Sequence, residues 1–373
     1  MKIPLSKPDV TEREIREVVR VLRTPHLSMG PKLEEFQEKF SRYIGIRYAE
    51  AVNSGTSALH LLMKSFGIGK GDEVITSPYS FIASSNCMLF TQARPVFVDI
   101  EPQTMTLDAN LIEKKITRKT KAILAVHVFG MPADMISINR IARKHGLIVI
   151  EDACEAVGAE IGEKKAGSFS DAAVFAFYPN KQITTGEGGM VVTNNRKVRN
   201  MCKSLKNQGR GLKGKHFGFL RLGYNYRISD INCALGIAQL SRINEILLKR
   251  ERVARFYYER LSGVEGIELL REKEGYKRSW FVYVVKLGPR FNARKKKKIM
   301  QALARKGIGC GNYFPAIHLE PFYREMFGYR RGDYPVTEAT ADRTFAIPFY
   351  SNLREAEVEV VCRELKRQIA VTG

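Results

Sequence analysis

Apolar and polar positions follow two rhythms along the first two-thirds of the chain. Short apolar runs, the mark of buried strands, fall at residues 73–76, 95–98, 122–127, 147–151, 173–177 and 190–193. Between several of them, apolar residues recur three and four apart, which predicts helices near 56–65, 80–90, 110–115 and 135–144. Strands joined by helical crossovers form a mostly parallel sheet covered on both faces. Two helices precede this region. Thr11-Glu12-Arg13-Glu14 reads as a capping box that opens a helix through Val21, and Pro31 suits the first position of a helix running towards Tyr43.

After about residue 245 the rhythm changes. A long basic helix over 243–261, a strand-like segment at 279–286, a helix around Arg294 and a terminal helix over 355–369 describe a smaller α+β unit. The expected fold is therefore α/β, with a large domain over 1–245 and a small C-terminal domain over 246–373. The N-terminal residues are expected to contribute to the small domain. No internal repeat is visible.

Composition narrows the classes. The 373 residues are 44% hydrophobic and 27% charged, a globular balance ample for two domains. No apolar run is long enough to span a membrane, and Met1-Lys2-Ile3-Pro4 lacks the apolar core of a signal peptide, so the expected place is the cytoplasm. Six cysteines without a C-x-x-C pair argue for free thiols rather than zinc or disulfides. The net charge of +22 admits a nucleic-acid binder as a rival, but no nucleic-acid motif accompanies it, and none is expected to bind. The densest basic run, Arg294 to Lys298, precedes Ile299, Met300 and Leu303, so its lysines are expected on the solvated side of a helix.

In a parallel sheet, ligands gather at the carboxyl ends of the strands. Four features lie there in order. Asn53-Ser54-Gly55-Thr56-Ser57 opens a helix, where free N–H groups and the helix dipole suit a phosphate; an ordinary helix cap is the alternative. Phe81 follows the strand at 73–76 and could stack on a planar ring, although a core position is the commoner fate of such a residue. Asp152 closes the strand at 147–151 and suits a protonated pyridine nitrogen, with a helix N-cap as the competing role. Lys181 follows the strand at 173–177 and could carry a carbonyl cofactor as a Schiff base. With 61 lysines and arginines, one lysine means little; the joint order carries the argument.

These residues resemble the DegT/StrS family of nucleotide-sugar aminotransferases. The likeness extends through Gly71-Asp72-Glu73-Val74-Ile75, Pro95-Val96-Phe97-Val98-Asp99, Val126-His127-Val128-Phe129-Gly130, Glu151-Asp152-Ala153 and Gly223-Tyr224-Asn225-Tyr226-Arg227 to Ile317-His318. The segment from Asn180-Lys181 to Asn194 is most similar to the perosamine-synthase branch. The resemblance implies the pyridoxal 5'-phosphate fold of type I, L-glutamate as amino donor (2-oxoglutarate as its product), and a nucleotide-linked 4-keto-6-deoxy sugar as acceptor. It implies that Gly55, Thr56 and Ser57 hold the phosphate, Phe81 stacks on the ring, Asp152 pairs with its nitrogen and Glu155 lies near its O3′. Asn225 would reach the phosphate of the neighbouring subunit, giving a homodimer with shared sites. The loop at 28–32 with Ser28, the basic stretch 206–221 and the segment 313–318 with Tyr313 and His318 would wall the sugar-nucleotide pocket.

Two positions depart from the commoner family pattern. Glu155 stands where many members have Gln or His, which requires a shared proton or a carboxylate turned away. Ala176 replaces a frequent phosphate-binding serine. A family dehydratase, which has histidine at the lysine position, conflicts with Lys181; a general transaminase of non-sugar keto acids remains the nearest alternative.

Overall fold

The computed structural model describes residues 2–211, 218–270 and 273–373. Its centre is a seven-stranded sheet in the order Tyr48–Val52, Gly189–Thr193, Ala172–Ala176, Ile148–Asp152, Thr120–Val126, Glu73–Thr76, Arg94–Phe97. Gly189–Thr193 runs antiparallel to both neighbours, and the remaining pairings are parallel. Both faces are buried, which is why the strands read as continuous apolar runs. The six expected strands are all present within two residues of their expected ends.

Tyr48–Val52 escaped the apolar pattern because Glu50 interrupts it. The Glu50 carboxylate is 2% exposed and pairs with Arg199 Nε at 2.8 Å and Lys206 Nζ at 2.7 Å. The expected helix at 80–90 is shorter, Ala83–Leu89, leaving Ser80 to Ile82 free to turn at the strand end. The capping box at Thr11 is present: Thr11 N–H donates to Glu14 Oε2 at 2.7 Å at the start of helix Glu12–Leu22.

The C-terminal part builds a second, three-stranded antiparallel sheet from Ile267–Glu268, Tyr283–Leu287 and Thr344–Ile347. Helices Ile243–Leu261, Ala293–Arg305 and Glu355–Thr372 bury their apolar sides in the core around it. Ile3 joins that core, fully buried, with its N–H bonded to Gly307 O at 2.8 Å. Helix Ala293–Arg305 corrects one expectation. Lys296 is not solvated; it is 6% exposed and donates to Asn312 Oδ1 at 2.7 Å and to the carbonyls of Ala341 and Thr344 at 2.5 and 3.3 Å. Among the described residues, no helix is long and apolar enough to cross a membrane.

Candidate active site

The helix Gly55–Ser65 begins against the ends of two strands. Ser54 caps it, accepting from Ser57 N–H at 3.1 Å, and the first intrahelical bond runs from Ala58 N to Ser54 O. The N–H groups of Gly55 and Thr56 precede that bond and project from the positive end of the helix. The segment is a helix cap, and these two N–H groups lie beyond the capping bond. A Cβ on Gly55 would meet Ala176 Cβ at 2.8 Å and Cys154 Sγ at 3.0 Å. Only glycine lets the helix start sit this close to the sheet, and the Ala176 methyl, which offers no hydroxyl, forms its floor.

Asp152 ends its strand in a buried position. Its Oδ2 accepts from Ser84 Oγ at 2.7 Å and its Oδ1 from Cys154 N–H at 3.2 Å. No helix begins there, so the N-cap alternative fails and the carboxylate instead closes a turn. The preceding residue, Glu151, faces the other way. Burial works to raise its pKa, but His127 Nε2 at 2.9 Å and donors from Gly167, Phe169 and Ser170 hold the carboxyl below the ordinary glutamate range. That bonded knot anchors the strand end that presents Asp152.

Lys181 lies on the loop after Ala172–Ala176, with its N–H bonded to Tyr178 O at 2.9 Å. Its Nζ is 3.7 Å from Glu155 Oε1 and 4.0 Å from the centre of the Phe281 ring. Glu155 Oε2 accepts from Phe129 N–H at 2.8 Å. Burial pushes the Glu155 carboxyl up, against the pull of Lys181 and the Phe129 N–H, and the charge of Asp152 adds to the rise. Glu155 therefore faces the lysine rather than turning away, and it is the group of this site disposed to hold a proton. Cys154, between Gly55 and Asp152, is raised well above the ordinary thiol range by burial and by Asp152, so it stays protonated and is no nucleophile.

Phe81 presents its ring to solvent, 59% exposed, at the mouth left by the shortened helix. Tyr313 reaches the lysine loop, where its Oη accepts from Asn180 Nδ2 at 3.2 Å. Ser28 pairs with Ser229, and its loop is held by Asp230, which accepts from the N–H groups of Gly30 and Lys32 at 2.8 and 2.9 Å. Asn225 is exposed, with its backbone beside Asn53. His318 is a correction: it is fully buried, bonded to Glu338 Oε1 at 3.0 Å and packed on Tyr334, so its ring fills a core instead of lining a pocket. Of the expected basic wall at 206–221, residues 212–217 lie outside the described residues. Ser84, Phe281 and Arg250 complete the surroundings of Asp152 and Lys181; a serine within a helix, a phenylalanine in an apolar strand-like run and one arginine of a very basic chain gave no signal in the sequence.

A helix N-terminus open to an anion, an exposed aromatic, a strand-end carboxylate and a half-buried lysine suit a phosphorylated pyridine aldehyde, the donor set of a pyridoxal phosphate-dependent enzyme. The chain belongs to the DegT/DnrJ/EryC1/StrS aminotransferase family, whose model matches residues 8–366. It is 36% identical over 367 residues to the GDP-perosamine synthase of Caulobacter vibrioides, covering 98% of this chain and 97% of that one. Its fold matches Helicobacter pylori PseC, an aminotransferase of pseudoaminic acid biosynthesis, with a TM-score of 0.95, 28% identity and full coverage of both chains. The PLP-form of Streptococcus pneumoniae Spr1654 superposes as well, at a TM-score of 0.95 and 26% identity, again with both chains fully covered.

Proposed function

We propose that the protein transfers the amino group of L-glutamate to the keto carbon of a nucleotide-linked 4-keto-6-deoxyhexose, acting as a homodimer in the cytoplasm. The observation that carries this reading is Lys181 grouped with Glu155 and Asp152 in a chain similar over its whole length to a GDP-perosamine synthase. The basic surplus favours a diphosphate-bearing substrate through long-range attraction.

In this reading Gly55, Thr56 and Ser57 would hold the phosphate, Phe81 would stack on the ring, and Asp152 would pair with the ring nitrogen. Pyridoxal phosphate, when bound, supplies an electron sink for breaking a carbon–hydrogen bond beside nitrogen. Lys181 would carry it, and the Lys181 amine would move the proton. Glu155, with its raised pKa, holds a proton within reach of that amine and so limits the cost of a carboxylate beside the ring oxygen. The dimer is supported by exposed apolar side chains beside Asn225, among them Leu222 at 85% exposure, which suit burial against a second copy.

The test is a half-reaction screen on the loaded protein. Borohydride followed by peptide mapping should place the cofactor on Lys181. Glutamate should then bleach the visible band of the lysine-bound cofactor. GDP-, UDP- and dTDP-linked 4-keto-6-deoxy sugars are tested for restoring it, and at least one should. If simple keto acids other than 2-oxoglutarate restore the band while every nucleotide sugar fails, the acceptor is a keto acid and the sugar assignment falls.

A further inference from the structure

Arg250 sits on the long helix Ile243–Leu261 and is 2% exposed. Its Nη2 donates to the carbonyl of Lys181 at 3.0 Å, and its Nη1 donates to the carbonyls of Phe281 at 3.2 Å and Trp280 at 3.4 Å. The guanidinium packs against the Phe349 ring at 5.6 Å. Its hydrogen-bond acceptors are thus backbone oxygens. Burying a cation on neutral acceptors is expensive, and an apolar side chain of similar volume serves stability as well or better. Stability alone does not account for an arginine here.

We propose that Arg250 is a positioning residue for the reaction, gathering the carbonyls of Lys181, Trp280 and Phe281 onto one planar fork so that the Lys181 amine is held over the Phe281 ring and beside Glu155. The proposal rests on the reading of Lys181 given above. The three carbonyls come from two distant stretches, the loop after Ala172–Ala176 and the segment leading into Tyr283–Leu287. A planar guanidinium with donors at fixed angles can set their relation; a lysine ammonium cannot span them in the same way. Both peptide groups of Lys181 are then tied, its N–H to Tyr178 O and its C=O to Arg250, while the neighbouring Gln182 Nε2 donates to Glu155 O at 2.7 Å. With the root of the side chain fixed, its four torsions start from a set point, and Phe281 and Glu155 bound where Nζ lies. Displacing a reacting group by about 1 Å costs on the order of a hundredfold in rate.

The experiment compares wild-type, Arg250→Met and Arg250→Lys full-length proteins loaded with pyridoxal phosphate. Borohydride mapping of the wild type comes first. Attachment at a residue other than Lys181 overturns the functional reading itself, and this proposal with it. With attachment at Lys181, three quantities decide about Arg250: visible circular dichroism per unit of cofactor absorbance, kcat against KM for glutamate, and Tm. Arg250→Met should keep its absorbance, lose about half or more of the ellipticity, and lose on the order of a hundredfold in kcat with KM changed by less than about threefold. Arg250→Lys should fall between the two, roughly tenfold below wild type in kcat. A lowered Tm with wild-type ellipticity and kcat would make Arg250 a packing element and overturn the proposal. If Arg250→Met does not fold, Arg250→Lys is judged by the same ellipticity and kcat: a shortfall supports positioning, and wild-type values refute it.

Discussion

Asp152 spends both carboxylate oxygens on donors, Ser84 Oγ and Cys154 N–H, before any ligand is considered. Those bonds fix the direction of the carboxylate, which is what a partner for a pyridinium nitrogen requires. Asp152→Asn keeps the size but replaces one acceptor with an NH2 group, and it cannot hold a ring nitrogen protonated. The variant should retain bound cofactor by absorbance and lose about 10²–10⁴-fold in turnover, the range of an acid–base contribution. Steady-state kinetics near wild type would remove Asp152 from the chemistry. Glu155, three residues on, has its Oε1 3.7 Å from the Lys181 amine, yet burial still leaves its pKa raised.

At the scale of elements, helix Ala293–Arg305 shows where an amphipathic pattern helps and where it misleads. Ile299 and Leu303 are buried as their spacing predicts, but Lys296 shares that buried side, threading its amine to Asn312 and to the last turn of helix Pro335–Arg343. Burial pushes its pKa down to about 8 from the ordinary 10.5. Between those pH values the unfolded chain binds a proton that the folded chain lacks, so this group makes stability rise with pH, and below about 8 its contribution is constant. The stability of wild type relative to Lys296→Met, from urea unfolding, should therefore increase between about pH 7 and about pH 10. A constant difference across that window would refute it. The same contrast explains what the sequence revealed. Strands such as Ile148–Asp152, apolar on both faces, and the ordered features at their ends were legible. Helix Asp230–Ser241 was not, because it is buried nearly all round and has no polar side to set a period. Two-residue strands such as Glu160–Ile161 and Lys164–Lys165 are too short for any rhythm, and buried charges such as Glu50 and Arg250 depend on partners far along the chain.

For the whole molecule, shared sites make a quantitative demand. If Asn225 completes the partner's phosphate site, a hybrid of Lys181→Ala and Asn225→Ala subunits contains one site with both groups intact. Equal mixing with free exchange should recover about a quarter of wild-type activity from two inactive parents, as expected for a two-fold dimer. Demonstrated exchange without recovery would place Asn225 in the site of its own chain. A different demand falls on the assembly of a single chain. Ile3 is fully buried in the core of the C-terminal sheet and pairs with Ile308. During synthesis it leaves the ribosome roughly 300 residues ahead of that partner, which at about 5–20 residues per second is a wait of about a quarter to a full minute. Tyr48–Val52 must likewise wait for Gly189–Thr193 before it has a neighbour on the sheet. Ile3 and the strand Tyr48–Val52 are thus made well before the partners that seat them, so the nascent polypeptide holds each without its native neighbour during much of its translation.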